Sequence, residues 1–248
     1  NKDPRKNTKN VLKAFNGFLN STSTDYKLVM LGYKEQDLIK TLTEIKANNL
    51  IEKVVLLGYV PDQDLPAIYS SSQLFLFPSL REGFGIPIIE AMACGTPSIY
   101  SNCSAQLEFA QGKGLPVDIL GTQPAIRGEY STYSQSELSG EFYVPDFNHL
   151  KEVMRDAYDN YDHHKKTALK ESKELRKKFT WENMAKIASK EIDSFIKNPP
   201  KNRIEISFNQ GVKLEVFGSN KEEYFVEFIN SDTDKVVHSS TIKNNMWT

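Results

Sequence analysis

One run of sixteen residues constrains this chain more than any other: Glu82-Gly83-Phe84-Gly85-Ile86-Pro87-Ile88-Ile89-Glu90-Ala91-Met92-Ala93-Cys94-Gly95-Thr96-Pro97. It follows a short apolar stretch, Leu74 to Phe77, that reads as a strand, and it opens a helix. Pro87 suits the first helical turn, where a missing N–H has no intrahelical partner to lose. Gly95 suits the position just past the helix, where the backbone turns left-handed. The two glycines ahead of the helix let backbone approach a ligand closely. A helix N-terminus offers free N–H groups and partial positive charge, which favour phosphate. One carboxylate, Glu82, then lies at the phosphate end, and a second, Glu90, lies about one turn inside the helix. Such an arrangement suits a ligand with a diphosphate in the middle and hydroxyls on both sides, such as a nucleotide sugar. Strand-Gly-Gly-helix turns also occur in many α/β proteins, and two glutamates at this spacing can equally be solvated surface residues.

The elements around the run alternate. Asn7 or Thr8 can cap a helix whose apolar residues, Val11, Leu12, Phe15, Phe18 and Leu19, recur at helical spacing. Apolar strands are expected at Lys27 to Gly32, Lys53 to Val60, Leu74 to Phe77 and Pro97 to Tyr100, with helices at Glu35 to about Asn48 and Pro61 to Ser70. Alternation of this kind implies an α/β fold with a doubly wound parallel sheet. Continuously apolar strands agree, because such sheets are covered on both faces. From Gly112 to Gly140 the sequence turns rich in Gly, Ser, Thr and Tyr and reads as a long loop or insertion. Helices are expected again at Phe147 to Tyr161, Lys165 to Lys178 and Trp181 to Ile196, followed by a linker, Asn198-Pro199-Pro200-Lys201-Asn202.

Beyond the linker the period changes to two. Ile204, Ile206 and Phe208 alternate with polar residues, as do Val212, Leu214 and Val216, and Tyr224, Val226 and Phe228. Turns are expected at Asn209-Gln210-Gly211, Ser219-Asn220 and Ser231 to Asp234. We therefore expect two domains, an α/β domain over 1–198 and a small, incomplete antiparallel β module over 199–248. The chain begins Asn1-Lys2-Asp3-Pro4 and stops one residue after Trp247, so a fragment at both ends is expected, with no signal peptide.

The 248 residues carry a net charge of -1, which gives no global field favouring nucleic acid. No apolar run approaches the roughly 20 residues that span a bilayer. Two cysteines, Cys94 and Cys103, form no disulfide framework and are expected as small buried side chains near sheet ends. A reducing, cytoplasmic setting is the default.

The full string Glu-Gly-Phe-Gly-x-Pro-x-x-Glu-Ala-Met-Ala-x-Gly-x-Pro, preceded by Phe77-Pro78-Ser79, resembles the signature of retaining GT-B glycosyltransferases with the Glu-x7-Glu motif, the group 1, family 4-like enzymes. Pro4-Arg5-Lys6-Asn7 before an amphipathic helix is similar to a Pro-Arg-Lys-Asn segment common there. The resemblance covers about residues 3 to 197 and implies the Rossmann-like C-terminal, donor-binding half of a GT-B fold. It implies that the first strand of that half should lie just before Asn1 and that the acceptor domain is absent.

Roles follow from the resemblance residue by residue. Lys6 matches a lysine contacting the donor diphosphate, and Arg5 is a second cation. Many members carry a further arginine roughly where Asn1 stands, so that contact is missing. Glu82 matches the glutamate that holds donor-sugar hydroxyls. Gly83, Phe84 and Gly85 match the backbone approaching sugar and phosphates. Glu90 matches the glutamate that accepts hydrogen bonds from ribose hydroxyls. Gly58-Tyr59-Val60-Pro61 matches the loop beside the base, making Tyr59 and Val60 donor-binding residues. The implied activity is transfer of a hexose-type sugar, with retention, from a UDP- or GDP-type donor to a glycan or lipid-linked acceptor in surface-polysaccharide assembly. No metal or other cofactor is expected. The alternative is a non-catalytic nucleotide-sugar or glycan-binding module. An epimerase or phosphorylase relative fits the Phe84-Gly85-x-Pro87 context less well. A dehydrogenase lacks its Gly-x-Gly-x-x-Gly.

Other signals have plainer readings. Asp62-Gln63-Asp64 sits where an Asp caps a helix, and Asp232-Thr233-Asp234 sits in an expected turn. His163-His164 lies among charges and reads as solvated. The basic helix Lys165 to Lys178 reads as a solvated face, with peripheral contact to an anionic membrane as the alternative. Tyr130 and Tyr133 suit stacking on a ligand and suit packing equally.

Overall fold

The computed structural model describes residues 3–126, 138–197, 204–208, 212–220, 223–230 and 235–243. By contact the chain divides into two units, Asn1–Lys178 and Phe179–Thr248.

In the first unit, a 3-10 turn at Pro4–Lys6 leads into α1, Thr8–Ser21. Strand β1, Leu28–Met30, runs parallel to β2, Val54–Leu56, with Leu28 opposite Val54. Helix α2, Glu35–Glu44, connects them. Leu12 and Phe15 of α1 are buried with Leu38, Leu42 and Leu50, and Leu28, Met30, Val54 and Leu56 pack against this cluster. The apolar positions of both strands thus alternate: even-numbered residues face the cluster, while Val29 and Val55, paired across the ladder, are each 39% exposed. The expectation that these strands are covered on both faces is corrected here.

Strands β3 (Phe75–Phe77), β4 (Ser98–Ser101) and β5 (Leu115–Val117) form a parallel sheet in that order. Helix α3 (Leu65–Ser71) leads into β3, α4 (Ile86–Ala93) connects β3 to β4, and the single turn α5 (Leu107–Ala110) lies between β4 and β5. Ala14 of α1 is buried with Ile99, Val117, Leu150, Val153 and Met154, and Phe18 packs against both clusters. Helix α1 therefore joins the two sheets, with Leu12 and Phe15 in one cluster, Ala14 in the other and Phe18 against both. Truncating a fully buried leucine such as Leu12 costs about 2–5 kcal/mol, so α1 anchors much of this unit.

The stretch expected as a long loop is different. Strands β6, Ile119–Ile126, and β7, Leu138–Pro145, pair antiparallel as a bulged hairpin, from Ile119 opposite Pro145 to Ile126 opposite Leu138. Two of the glycines that suggested a loop, Gly121 and Gly140, take positive φ within the hairpin, and the register shifts beside Gly121 and Pro124. Tyr130 and Tyr133 lie outside the described residues. Helix α6, Phe147–Asp159, is capped by Asp146, whose carboxylate accepts from the N–H groups of Asn148 and His149 at 2.8 and 3.2 Å. Helix α7 runs Tyr161–Lys178 and packs on α4.

The basic face of α7 is partly spoken for. Lys165 Nζ donates to the Gly95 carbonyl at 2.8 Å, and Arg176 Nε to the Ala93 carbonyl at 2.5 Å. Both carbonyls lie at the C-terminal end of α4, where cations complement the helix dipole. His164 pairs with Asp156 at 2.7 Å rather than standing free in solvent. Asp156 is correspondingly held below the usual carboxylate range by hydrogen bonds from Asn160 and His164, against a smaller push upward from burial.

The second unit holds α8, Trp181–Lys197, and a four-stranded antiparallel sheet in the order β11-β10-β9-β8. Thr180 Oγ1 accepts from the Asn183 N–H at the start of α8. The strands are β8 Ile204–Phe208, β9 Val212–Asn220, β10 Glu223–Asn230 and β11 Lys235–Lys243. Val216 stands opposite both Ile204 and Val226. Ser219 and Asn220, expected as a turn, end β9 instead, because the ladder continues to Asn220 opposite Glu223. The turns expected at 209–211 and 231–234, including Asp232-Thr233-Asp234, lie outside the described residues.

Candidate functional site

The site is built where β3 hands over to α4. Gly85 holds φ +93°, a left-handed conformation, and occupies the N-cap of α4, so the chain reverses into the helix without a side chain in the way. Pro87 falls in the first turn as expected. Ile88, Ala91 and Met92 bury the opposite face and fix the helix axis. Phe84 is 37% exposed and rests on Phe109 at 5.4 Å between centroids. Gly95, at φ +72°, ends the helix left-handed.

Lys6 and Glu82 meet. Lys6 Nζ lies 2.8 Å from Glu82 Oε1, and the ammonium sits 4.7 Å from the centroid of Phe77. Lysine and glutamate side chains are 29% and 12% exposed, so the pair is shielded but reachable. Arg5 turns the other way. Its guanidinium makes a fork on Asp3, with Nη2 2.6 Å and Nε 3.0 Å from the carboxylate, and is half exposed. Burial raises the Asp3 pKa, but the hydrogen bonds and charge of Arg5 outweigh this and hold it below its ordinary value.

The backbone around the pair is cross-braced. The Leu80 N–H donates to the Arg5 carbonyl at 2.7 Å, and the Tyr143 N–H donates to the Leu80 carbonyl at 3.0 Å. Asn7, expected as a helix cap, takes a left-handed conformation and makes no cap bond. Its side chain instead donates to the Pro78 carbonyl at 2.9 Å, tying the start of α1 to the loop after β3. Ser104 Oγ donates to the Glu82 carbonyl at 2.8 Å and accepts from the Glu82 N–H at 3.4 Å. Asn7 and Ser104 are thus supports of the site that the sequence did not disclose. A left-handed non-glycine residue, which both are (φ 54° and 62°), marks strain at such a place.

Glu90 lies in the second turn of α4. Its Oε2 accepts from the Tyr69 hydroxyl at 3.0 Å. Tyr69 is 9% exposed, and burial, with the neighbouring Glu90 charge adding, pushes its pKa far above the ordinary phenol value. Tyr59 stands on the loop after β2, next to Gly58 at φ +40°, and is 89% exposed; Val60 beside it is half-buried.

The remaining candidates stay plain. Asp64 takes the N-cap of α3 but makes no side-chain cap bond, so its expected capping role is not realised. Cys103 is buried, with its thiol pushed up to about 12 by that burial, whereas Cys94 ends α4 and is half-buried rather than lying at a sheet end. Among the described residues, no three His, Cys, Asp or Glu side chains gather as metal ligands. A cleft of about 550 Å³ between Gly112-Lys113 and α7 is lined by none of the site residues.

Residues 2–113 match the family model described as "Glycosyl transferases group 1". The chain is similar to O-antigen chain mannosyltransferase B of Escherichia coli, 39% identical over 118 residues, which cover 47% of this chain and 30% of that protein. It is also similar to the serotype-specific mannosyltransferase WbdA of Escherichia coli, 30% identical over 192 residues, or 75% of this chain and 20% of that one. This chain therefore spans less than a third of the length of these relatives. Among solved structures it resembles Anabaena Alr3699/HepE in complex with UDP and glucose, with a TM-score of 0.57 and 17% identity over 77% of this chain and 46% of that one. That likeness establishes the fold: a mixed α/β unit with parallel sheets, as in GT-B glycosyltransferases, with a small antiparallel sheet besides.

Proposed function

We propose that this chain is the donor-binding part of a glycosyltransferase. It moves a hexose from a nucleoside-diphosphate sugar to a glycan or lipid-linked acceptor, with retention of configuration, in surface-polysaccharide assembly. Mannose is the sugar best supported, because two relatives at 39% and 30% identity carry mannosyltransferase names. The nucleoside diphosphate is UDP or GDP, and residues 1–198 form the donor-binding domain.

The observation that carries this reading is the ion pair between Lys6 and Glu82 at the mouth of α4, with Glu90 in the next turn. Breaking a sugar–phosphate bond develops negative charge on the β-phosphate. Lys6 and the N–H groups of α4 stabilise such charge without a metal. When a donor enters, its diphosphate replaces Glu82 as the partner of Lys6, and the released Glu82 carboxylate accepts hydrogen bonds from sugar hydroxyls. Glu90 accepts from the ribose. The acceptor oxygen bonds to the anomeric carbon on the face from which the diphosphate departs. Its proton passes to a phosphate oxygen, so no protein nucleophile is needed. Arg5 adds positive charge at the rim once it leaves Asp3. Gly83, Phe84 and Gly85 offer backbone to sugar and phosphate, and Tyr59 and Val60 line the base.

Among the described residues no helix is long and apolar enough to cross a membrane. The exposed Lys166, Lys170 and Lys173 of α7 suit peripheral contact with an anionic cytoplasmic membrane face, where a lipid-linked acceptor would reside.

A thermal-shift panel with UDP, GDP, ADP and their hexose conjugates, on wild type and Glu90→Ala, tests this. A ligand at ~100 times its dissociation constant adds ~2.7 kcal/mol of stability. Stabilisation by one nucleotide and its mannose conjugate, lost in the variant, supports the reading. Nucleotide binding with no sugar transfer by the longer gene product supports a non-catalytic module instead.

A further inference from the structure

Glu90 does not stand alone, and what holds it has a consequence for ligand choice. Tyr69 is fixed from three directions. Its ring meets Phe75 edge to face at 5.4 Å and 89°. Its carbonyl accepts from Thr96 Oγ1 at 2.5 Å, at the far end of α4. Its hydroxyl donates to Glu90 Oε2 at 3.0 Å. Among the described residues, Glu90 Oε1 has no hydrogen-bond partner.

We propose that Tyr69 is a positioning residue for ribose recognition: its hydroxyl claims Oε2 of Glu90 and presents Oε1 alone to a ribose hydroxyl of a nucleoside diphosphate. This rests on the reading of Glu90 as the ribose acceptor and adds a residue to it. A free glutamate side chain samples many rotamers, and binding must freeze them. A donor anchored in the core removes that cost beforehand, which is preorganisation. Two geometric facts make Tyr69 suited to this. It comes from α3, a different element from the one carrying Glu90, so the bond fixes the carboxylate against the fold and not merely against its own helix. It is 9% exposed, so its ring is held in the core while its hydroxyl reaches a part-buried bond to Glu90. Because burial keeps the phenol protonated through the physiological range, the hydroxyl remains a donor throughout.

The test measures binding of UDP, GDP and their 2′,3′-dideoxy counterparts by calorimetry on the 248-residue chain, as wild type, Tyr69→Phe, Glu90→Ala and the double variant. Wild type should prefer the ribonucleotide. Tyr69→Phe keeps the ring and its contact with Phe75, and should lose roughly 5- to 10-fold in ribonucleotide affinity, about the net worth of one ordinary hydrogen bond. Its dideoxynucleotide affinity should not change, and the double variant should match Glu90→Ala. Equal losses for ribo- and dideoxynucleotides would make Tyr69 a packing residue and overturn the proposal. So would an unaffected Tyr69→Phe alongside a Glu90→Ala that has lost its ribose preference. If Glu90→Ala keeps that preference, or wild type binds neither nucleotide, the reading of Glu90 fails first and the role of Tyr69 falls with it.

Discussion

Lys6 and Glu82 are 76 residues apart in the chain and 2.8 Å apart in the fold, so the ammonium is paired with a carboxylate. On the proposed reading, a diphosphate would displace that carboxylate rather than meet a bare ammonium. The two halves of the pair then respond with opposite signs. Lys6→Met removes a charged donor and should weaken nucleoside-diphosphate binding by roughly 10- to 100-fold. Glu82→Gln removes the competitor and should tighten binding of a nucleoside diphosphate lacking sugar, while sugar transfer is lost. Titration of both variants with UDP and GDP checks the pair; weakened binding in Glu82→Gln would contradict it.

The two glycines of the loop should separate stability from binding. At Gly85 a Cβ would lie 3.2 Å from Ile88 Cδ1, on a backbone at φ +93° that L-residues rarely adopt. Gly85→Ala should cost about 1–3 kcal/mol in urea denaturation. A Cβ at Gly83 meets nothing within 4 Å, and its φ is ordinary. Gly83→Ala should leave stability within about 0.5 kcal/mol of wild type and, on the proposed reading of Gly83 as donor-binding backbone, weaken donor binding.

Helix α7 should support α4 from behind. With Arg176 on the Ala93 carbonyl and Lys165 on that of Gly95, two cations satisfy the carbonyl end of α4. Replacing either by methionine should cost about 0.3–2 kcal/mol and raise hydrogen exchange first in the last turn of α4. Unchanged exchange there, with exchange rising elsewhere in α7, would show that the contacts hold α7 alone.

Glu171 gives a pH signature. Its Oε2 accepts from the Gly114 N–H at 3.2 Å. Burial pushes its carboxyl above the ordinary range; that amide and Lys113 pull it back, and Glu174 adds to the rise. The folded protein thus holds this proton more tightly than the unfolded chain, and stability from this group falls as pH rises from the ordinary carboxylate range through the folded value. Glutamine keeps the hydrogen bond and cannot ionise. The Tm of Glu171→Gln relative to wild type should therefore be higher at pH 7 than at pH 4. A difference that shrinks as pH rises would reverse the assignment.

Much of the α/β unit was legible because its cues are local. The strand, glycine and proline signals around Glu82 to Pro97 placed α4 within a residue or two, and helical spacing found α1 and α6. The meeting of Lys6 with Glu82 was accessible only as an implication of resemblance. What stayed hidden depends on partners far away in the chain. Asn7 looked like a cap, and only the fold brings the Pro78 carbonyl within its reach. Lys165 and Arg176 of α7 looked solvated because their acceptors are backbone carbonyls 70 and 83 residues earlier, which no charge pattern reveals. Tyr69 carried one faint signal: a tyrosine on the apolar side of a short helix needs a partner for its hydroxyl. The hairpin over β6 and β7 was misread because bulges use the same glycines and prolines as loops.

Leu80 receives bonds from both sides, giving its N–H to Arg5 and its carbonyl to Tyr143, so segments from positions 5, 80 and 143 join at one residue. During synthesis this imposes an order. Helix α1 and the first parallel pair can form as soon as they are made, but the join waits until residue 143 has left the ribosome. Until then Leu80 is braced to residue 5 alone, and its carbonyl waits for the later hairpin to supply the Tyr143 N–H.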